Sequence, residues 1–231
     1  MTADTRMQTP FTWPPDDFQG LQDVVSLHAP DTYYDSNYRH LERAYLPALF
    51  AWLDEKARGR VLEIGPGWGT TMAWLSANGW TDITVMDIMP KGHWITQDLL
   101  DLCGAEYVQA NICEGALSGK WDLIICTQVI GHLKHQPLEA LGHVREMMAG
   151  EFIASAVDHQ CCPDMASAYG LDWRAVPCWG APRASDMVVT VYTAATFEEL
   201  LVAAFGNARV WHPPGPLIFG EAHVHLGEDA G

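Results

Sequence analysis

"VLEIGPGWGTT", residues 61–71, is an apolar run that breaks into three glycines at alternate positions, Gly65, Gly67 and Gly69, with a carboxylate at Glu63 just ahead of them. The residues before the glycines read as a short buried strand, and "TMAWLSANG" after them reads as a helix. The glycines therefore occupy a strand-to-helix turn. In an open parallel sheet the ligand lies beyond the carboxyl ends of the strands, and a glycine-rich turn lets it approach the backbone. A dinucleotide fingerprint, G-x-G-x-x-G, would place its third glycine at position 70, where this chain has Thr70. With that glycine missing and Glu63 ahead of the turn, the site suits a ligand with a cationic amino-acid portion better than a pyrophosphate.

The same alternation extends along the chain. A helical pattern over "YRHLERAYLPALFAWLDEKARG", with Pro47 inside it, leads into the first strand. There follow "DITVMD", "ITQDLLDLCG", "EYVQA", "WDLIICT", "PLEALGHVREMMAG" and "EFIASAV". Strands alternating with helices of about ten residues predict βαβ units and a parallel sheet covered on both faces. The rhythm stops over residues 159–186, which show no clean period. It resumes with the helix "TFEELLVAAFG" and two final strands, "NARVWH" and "EAHVHL", joined by the turn-rich "PPGPLIFG". The expected fold is α/β, a doubly wound, mostly parallel seven-stranded sheet in a single domain over residues 35–231. Residues 1–34 precede it as an irregular arm or lid, and a cover is inserted near 159–186.

Composition narrows the function. The 231 residues, 48% of them hydrophobic, suffice for one core. Asp and Glu number 29 against 13 Lys and Arg, a net charge of −16 that repels phosphate backbones, so nucleic acid is not the expected substrate. The first residues lack a basic start with an apolar stretch, and no run approaches the ~20 apolar residues of a membrane span. A cytoplasmic protein without a membrane partner is the expectation. The six cysteines form no Cys-x-x-Cys pair and read as reduced thiols. Asp158, His159, Cys161 and Cys162, or His223 with His225, satisfy no known zinc spacing, so no metal is expected.

"LEIGPGWG" resembles the glycine-rich first motif of the class I S-adenosylmethionine-dependent methyltransferases. Three further stretches continue the resemblance in order. "ITVMD" ends at Asp87, 18 positions past Gly69 (87 − 69), where the family sets a carboxylate against both ribose hydroxyls. "EYVQANICEG" offers Asn111 for the adenine amino group, in place of the usual Asp, and Ile112 for the ring. "WDLIICTQVIGHL" resembles the fourth motif, with Cys126 and Thr127 at the ligand edge and the His132–Leu133 dipeptide common to small-molecule members. The resemblance covers about residues 35–226. It implies the Rossmann-like fold, S-adenosylmethionine as cofactor, and a binding set of Glu63, Gly65, Gly67, Gly69, Asp87, Asn111, Ile112 and Thr127.

Its implied reaction is methyl transfer to an oxygen, nitrogen or sulfur of a small molecule. A [DNS]-P-P-[YFW] box, expected after the fourth strand of amino-group nucleic-acid enzymes, is replaced by "TQVIGH", and the double-glutamate loop of protein-arginine enzymes is missing. A catalytically silent cofactor-binding partner protein and a nicotinamide-dependent oxidoreductase are the rival readings. His159, after the fifth strand, is the candidate general base or else a structural histidine; His132 is a second catalytic candidate or a packing residue. Tyr33, Tyr34 and Tyr38 either close over the cofactor or pack the first long helix onto the sheet. Trp173 and Trp179 lie in the stretch where the family builds its substrate cover, and an aromatic cover suits a flat, apolar acceptor. The number of subunits is not readable from the sequence.

Overall fold

The computed structural model describes residues 15, 17–30, 34–133, 137–158, 174–177, 188–213 and 217–223. Its first element corrects the expectation of an irregular arm. Asp17 accepts a hydrogen bond from the Gly20 N–H at 2.7 Å and so caps helix α1 (Phe18–His28), whose Leu21, Val24 and Val25 are buried. That spacing puts one apolar stripe on one face, which is enough to dock the helix. A five-residue π-helical turn, Tyr34–Tyr38, then leads into α2 (Arg39–Asp54), which holds Pro47 in its interior and buries Tyr45, Leu46, Leu49, Phe50 and Leu53.

The alternating core follows: β1 (Arg60–Ile64), α3 (Thr70–Ala77), β2 (Asp82–Asp87), α4 (Gln97–Cys103), β3 (Ala105–Gln109), β4 (Trp121–Cys126), α5 (Pro137–Met147) and β5 (Met148–Val157). Beyond it come a short antiparallel pair, β6 (Arg174–Pro177) and β7 (Val188–Val191), then α6 (Ala194–Phe205), β8 (Arg209–Trp211) and β9 (Leu217–His223). The main sheet has seven strands in the order β3-β2-β1-β4-β5-β9-β8. Its first five strands are parallel, as the alternation predicts; β9 runs antiparallel to both neighbours, so the sheet is mixed. The last strand also differs from expectation. It begins at Leu217, inside the stretch read as a connector, because Leu217, Ile218 and Phe219 are all buried against the sheet's two cores.

Those two cores explain why the strands read as near-continuous apolar runs. Val61, Ile83, Val85, Leu123 and Ile125 face α1–α4, while Leu62, Ile64, Met86, Ile124 and Phe152 face α5 and α6. Successive strand residues point to opposite faces, so covering both faces demands hydrophobicity at every position. The reversal of strand order at β1 and β4 opens the crevice in which such sheets place ligands, above the carboxyl ends of these two strands. No helix among the described residues is long and apolar enough to cross a membrane.

Candidate functional site

The glycine turn sits at that crevice. The Gly65 N–H donates to the Met86 carbonyl at 2.8 Å, extending the β1–β2 ladder one residue past the strand, and the Gly69 N–H closes the turn on the Pro66 carbonyl at 2.9 Å. All three glycines have positive φ, at 66°, 53° and 86°. At Gly65 the constraint is twofold, since a Cβ there would collide with the Val129 side chain. Gly67 is different: no heavy atom lies within 4 Å of the place its Cβ would take, so its surface is open. That opening fits a ligand laid directly on the backbone.

Glu63 lies beneath the turn and is buried. Thr71 and the Met72 N–H donate to its carboxyl group, yet burial, with the nearby charge of Glu42 adding to it, pushes its pKa up to about 8. Its Oε2 has no hydrogen-bond partner among the described residues. A buried acceptor left unpaired is costly, and a cationic donor group would satisfy it. The residues present therefore fit the charged amino-acid portion that the sequence resemblance implies.

Asp87 ends β2 beside the turn. The Met89 N–H donates to its Oδ1 at 2.8 Å, which fixes the carboxylate at the strand end, while partial burial raises its pKa above the usual value. Ile88 follows it with 60% of its surface exposed, an apolar side chain standing at the same edge that the sequence reading passed over. Asn111 uses its amide locally: its oxygen accepts from the Cys113 N–H at 3.0 Å and its NH2 group donates to Glu114 at 2.9 Å. One lone pair of that oxygen remains for a further donor. Ile112 is buried in the α5 and α6 core, and its carbonyl bonds the His143 ring at 2.7 Å.

At the end of β4, Thr127 is buried, and Cys126 faces the core instead of the ligand edge, its thiol pushed up to about 12 by burial. Gln128, next in the chain, was missed. It is the single non-glycine with positive φ among the described residues, at 58°, held by its N–H on Ser155 Oγ at 2.9 Å and by its side chain on Tyr45. A backbone conformation of that kind costs on the order of 1 kcal/mol and is concentrated at functional edges. Composition gives no signal for it. His132 closes the 3-10 turn Ile130–His132 and is exposed, although enough protein surrounds the ring to lower its pKa.

Tyr34 and Tyr38 part company. Tyr34 is wholly buried in the arm-side core, and Tyr38 is half-buried with its ring 6.3 Å from that of Trp68, the aromatic residue within the glycine turn. Trp68 also meets Tyr34 at 5.8 Å and Trp94 at 5.1 Å. Tyr33, His159, Trp173 and Trp179 lie outside the described residues. On the β5 side a pair unforeseen in the sequence appears: Asp158, 5% exposed, receives the ring of His212 at 3.1 Å through Nδ1. β5 and β8 both run opposite to β9, so these two residues, each just past its strand, share the carboxyl edge with the glycine turn. Among the described residues no group of three or more His, Cys, Asp and Glu side chains could hold a metal ion.

Residues 34–207 match a family model described as a methyltransferase domain. Nodulation protein S of Azorhizobium caulinodans is 24% identical over 159 residues, 66% of this chain and 76% of that protein. Among solved structures, the 1,6-didemethyltoxoflavin N1-methyltransferase of Burkholderia thailandensis, bound to 1,6-didemethyltoxoflavin and S-adenosylhomocysteine, superposes with a TM-score of 0.62 at 17% identity, over 97% of this chain and 98% of its own. The complex of DhpI with SAM and HEP superposes with a TM-score of 0.60 at 18% identity, over 90% and 98% of the two chains. Magnesium protoporphyrin IX methyltransferase from Synechocystis, with bound S-adenosylhomocysteine, gives 0.57 at 13% identity, over 88% and 93%.

Proposed function

This chain belongs to the methyltransferase-domain family, and from that premise we propose that it transfers the methyl group of S-adenosylmethionine to an oxygen, nitrogen or sulfur of a small molecule. The observation that carries the reading is the turn itself: three left-handed glycines at the carboxyl end of β1, an open face at Gly67, and a buried carboxyl oxygen at Glu63 that is unpaired among the described residues. Support comes also from the structural neighbours whose complexes hold this cofactor or its demethylated product.

When bound, the cofactor supplies an electrophilic methyl group on a sulfonium. The chain's own part is alignment, exclusion of water, and removal of a proton where the acceptor has one to lose. The Gly65–Gly69 backbone and Glu63 hold the amino-acid portion. Asp87 takes the ribose hydroxyls, Asn111 and Ile112 receive the adenine, and Ile88 adds an apolar surface beside them. Thr127 lines the edge where β4 faces the reacting centre. His159 and His132 are the proposed proton acceptors. Tyr33, Tyr38, Trp173 and Trp179 are assigned to the acceptor pocket, under a cover formed near 159–186. A flat, mostly apolar acceptor suits such a lining.

Isothermal titration of the purified protein with S-adenosylhomocysteine and, separately, with NAD tests the reading. Micromolar binding of the first and none of the second is expected. The reverse pattern would reject it in favour of a nicotinamide enzyme. Binding without methyl transfer to any of a broad panel of phenols, amines, heterocycles and thiols, followed by mass spectrometry, would favour a silent partner protein.

A further inference from the structure

Helix α2 brings one buried carboxyl group to the outer side of the glycine turn. Glu42 is 5% exposed, and both of its oxygens are occupied. Thr70 Oγ1 donates to Oε1 at 2.8 Å; the Tyr34 hydroxyl donates to Oε2 at 2.7 Å, and Gln22 Nε2 donates to the same atom at 3.2 Å. Gln22 is itself wholly buried and held twice more: its Nε2 also donates to the Arg39 carbonyl at 2.8 Å, and its oxygen accepts from Arg43 Nε at 3.0 Å. Four elements thus converge on one side chain: α1 through Gln22, the π-helical turn through Tyr34, α2 through Glu42 and α3 through Thr70.

Thr70 makes this arrangement bear on the cofactor. It directly follows Gly69 and begins α3, at the position where a dinucleotide fingerprint has its third glycine. A glycine there serves close packing of helix on strand. Here the hydroxyl ties the end of the turn to the arm. A second contact lies two residues earlier, where the Trp68 ring meets Tyr34. The N-terminal segment therefore grips the turn at two points, Trp68 and Thr70, and Tyr34 serves both.

We infer that Glu42 is a positioning residue for the cofactor turn, coupling the N-terminal helix and the Tyr34 turn to the glycine backbone through Thr70. The inference rests on the reading of that turn as the S-adenosylmethionine site. The apparent affinity of a ligand falls with the fraction of protein in its binding-competent arrangement, so a device that holds the turn acts on affinity without touching the ligand. Removing the Thr70 donor leaves Oε1 unpaired, and removing the Tyr34 hydroxyl leaves Oε2 with Gln22 alone at 3.2 Å, so in either case the turn is freer to shift.

The test is S-adenosylhomocysteine affinity by calorimetry across Thr70→Val, Thr70→Ser, Tyr34→Phe and Glu42→Gln, with folding checked by circular dichroism. Thr70→Val and Tyr34→Phe are each expected to weaken binding about tenfold, the size of one such hydrogen bond. Thr70→Ser, which keeps the donor, is expected to bind like the unaltered protein. Glu42→Gln combined with Thr70→Val is expected to cost less than the sum of the two alone, because both act on one buried network. A role confined to stability would lower the melting temperature of Thr70→Val, Tyr34→Phe and Glu42→Gln and leave affinity unmoved, which would overturn the inference. Additive losses would do the same. Should Glu42→Gln fail to fold, the Thr70 pair and Tyr34→Phe decide the matter. If the unaltered protein does not bind S-adenosylhomocysteine, the cofactor reading itself fails and this inference falls with it; unchanged variants of a binding protein remove the inference alone.

Discussion

Glu63→Gln should stabilise the ligand-free protein in alkaline solution and leave it nearly unchanged in acid. Burial raises the Glu63 pKa from the ordinary 4.5 to about 8, and the Thr71 and Met72 donors only partly offset that. Between those two values the folded chain keeps a proton that the unfolded chain has already released, so stability falls as pH rises. The favourable contribution is complete below pH 4.5 and is lost as the pH passes through about 8. At ~1.4 kcal/mol per pH unit, a shift of this size amounts to on the order of 3–5 kcal/mol once the group is ionised in both states. The full figure applies because the carboxyl group is 2% exposed and water does not screen it. A glutamine keeps the shape and carries no charge at any pH, so the penalty disappears. Urea unfolding at pH 5, 7 and 9 checks this: the difference between the variant and the unaltered chain should grow steadily toward alkaline pH. Parallel stability curves would refute the argument, since they would mean that Glu63 is either hydrated or ionised throughout. A cationic ligand group arriving at Oε2 should lower the same pKa, so that binding near pH 7 releases protons, seen as a buffer-dependent heat.

Gly67→Val should abolish S-adenosylhomocysteine binding in calorimetry while the circular dichroism spectrum stays intact: its Cβ meets no protein atom, and the φ of 53° adds only ~1–2 kcal/mol of strain. Retained affinity would show that the ligand does not lie on this backbone. Asp87→Ala should weaken cofactor binding by about 1.5–3 kcal/mol, with turnover recovered at saturating cofactor; a rate that stays low would give Asp87 another task. With an acceptor in hand, His159→Ala should lower turnover by roughly 10²-fold or more with cofactor affinity nearly unchanged, and full activity in that variant would leave the enzyme working by alignment alone.

The parallel core was legible in the sequence because its inner strands are covered on both faces, a condition that writes itself into runs such as Leu123–Cys126. The glycine turn, Glu63 and Asp87 were legible for a related reason, since positive φ and a strand-end carboxylate restrict residue type at fixed spacing. Helix α1 was not expected although its apolar stripe is regular and Asp17 caps it, because the Pro, Asp and Thr content of the first thirty residues reads as irregular. The start of β9 was hidden because "PPGPLIFG", which ends at Gly220, reads as a connector from its prolines and glycines. In the sheet a Cβ there would strike Leu201 and Phe197 of α6, so the glycine marks close helix approach and not a chain reversal. Gln128 and the Asp158–His212 pair left no pattern at all. They depend on backbone strain and on two strand ends brought together by the topology.

The two threonines that close the opening stretch show how the site's polar chemistry is divided. Thr70 and Thr71 are consecutive in the first turn of α3, and consecutive helical residues point about 100° apart. Their hydroxyls accordingly reach different acids: Thr70 donates to Glu42 on the arm side, and Thr71 to Glu63 beneath the turn. Both carboxyl groups are buried, both have pKa values raised chiefly by that burial, and the charge on Glu42 raises that of Glu63 further. The difference between them lies in their unmet capacity. Glu42 has a donor on each oxygen, three in all, whereas Glu63 keeps Oε2 unpaired among the described residues. A satisfied buried carboxyl group fixes structure; an unsatisfied one carries a cost that an added donor relieves. One acid therefore has its acceptor capacity met within the chain, and the other keeps capacity to spare among the described residues.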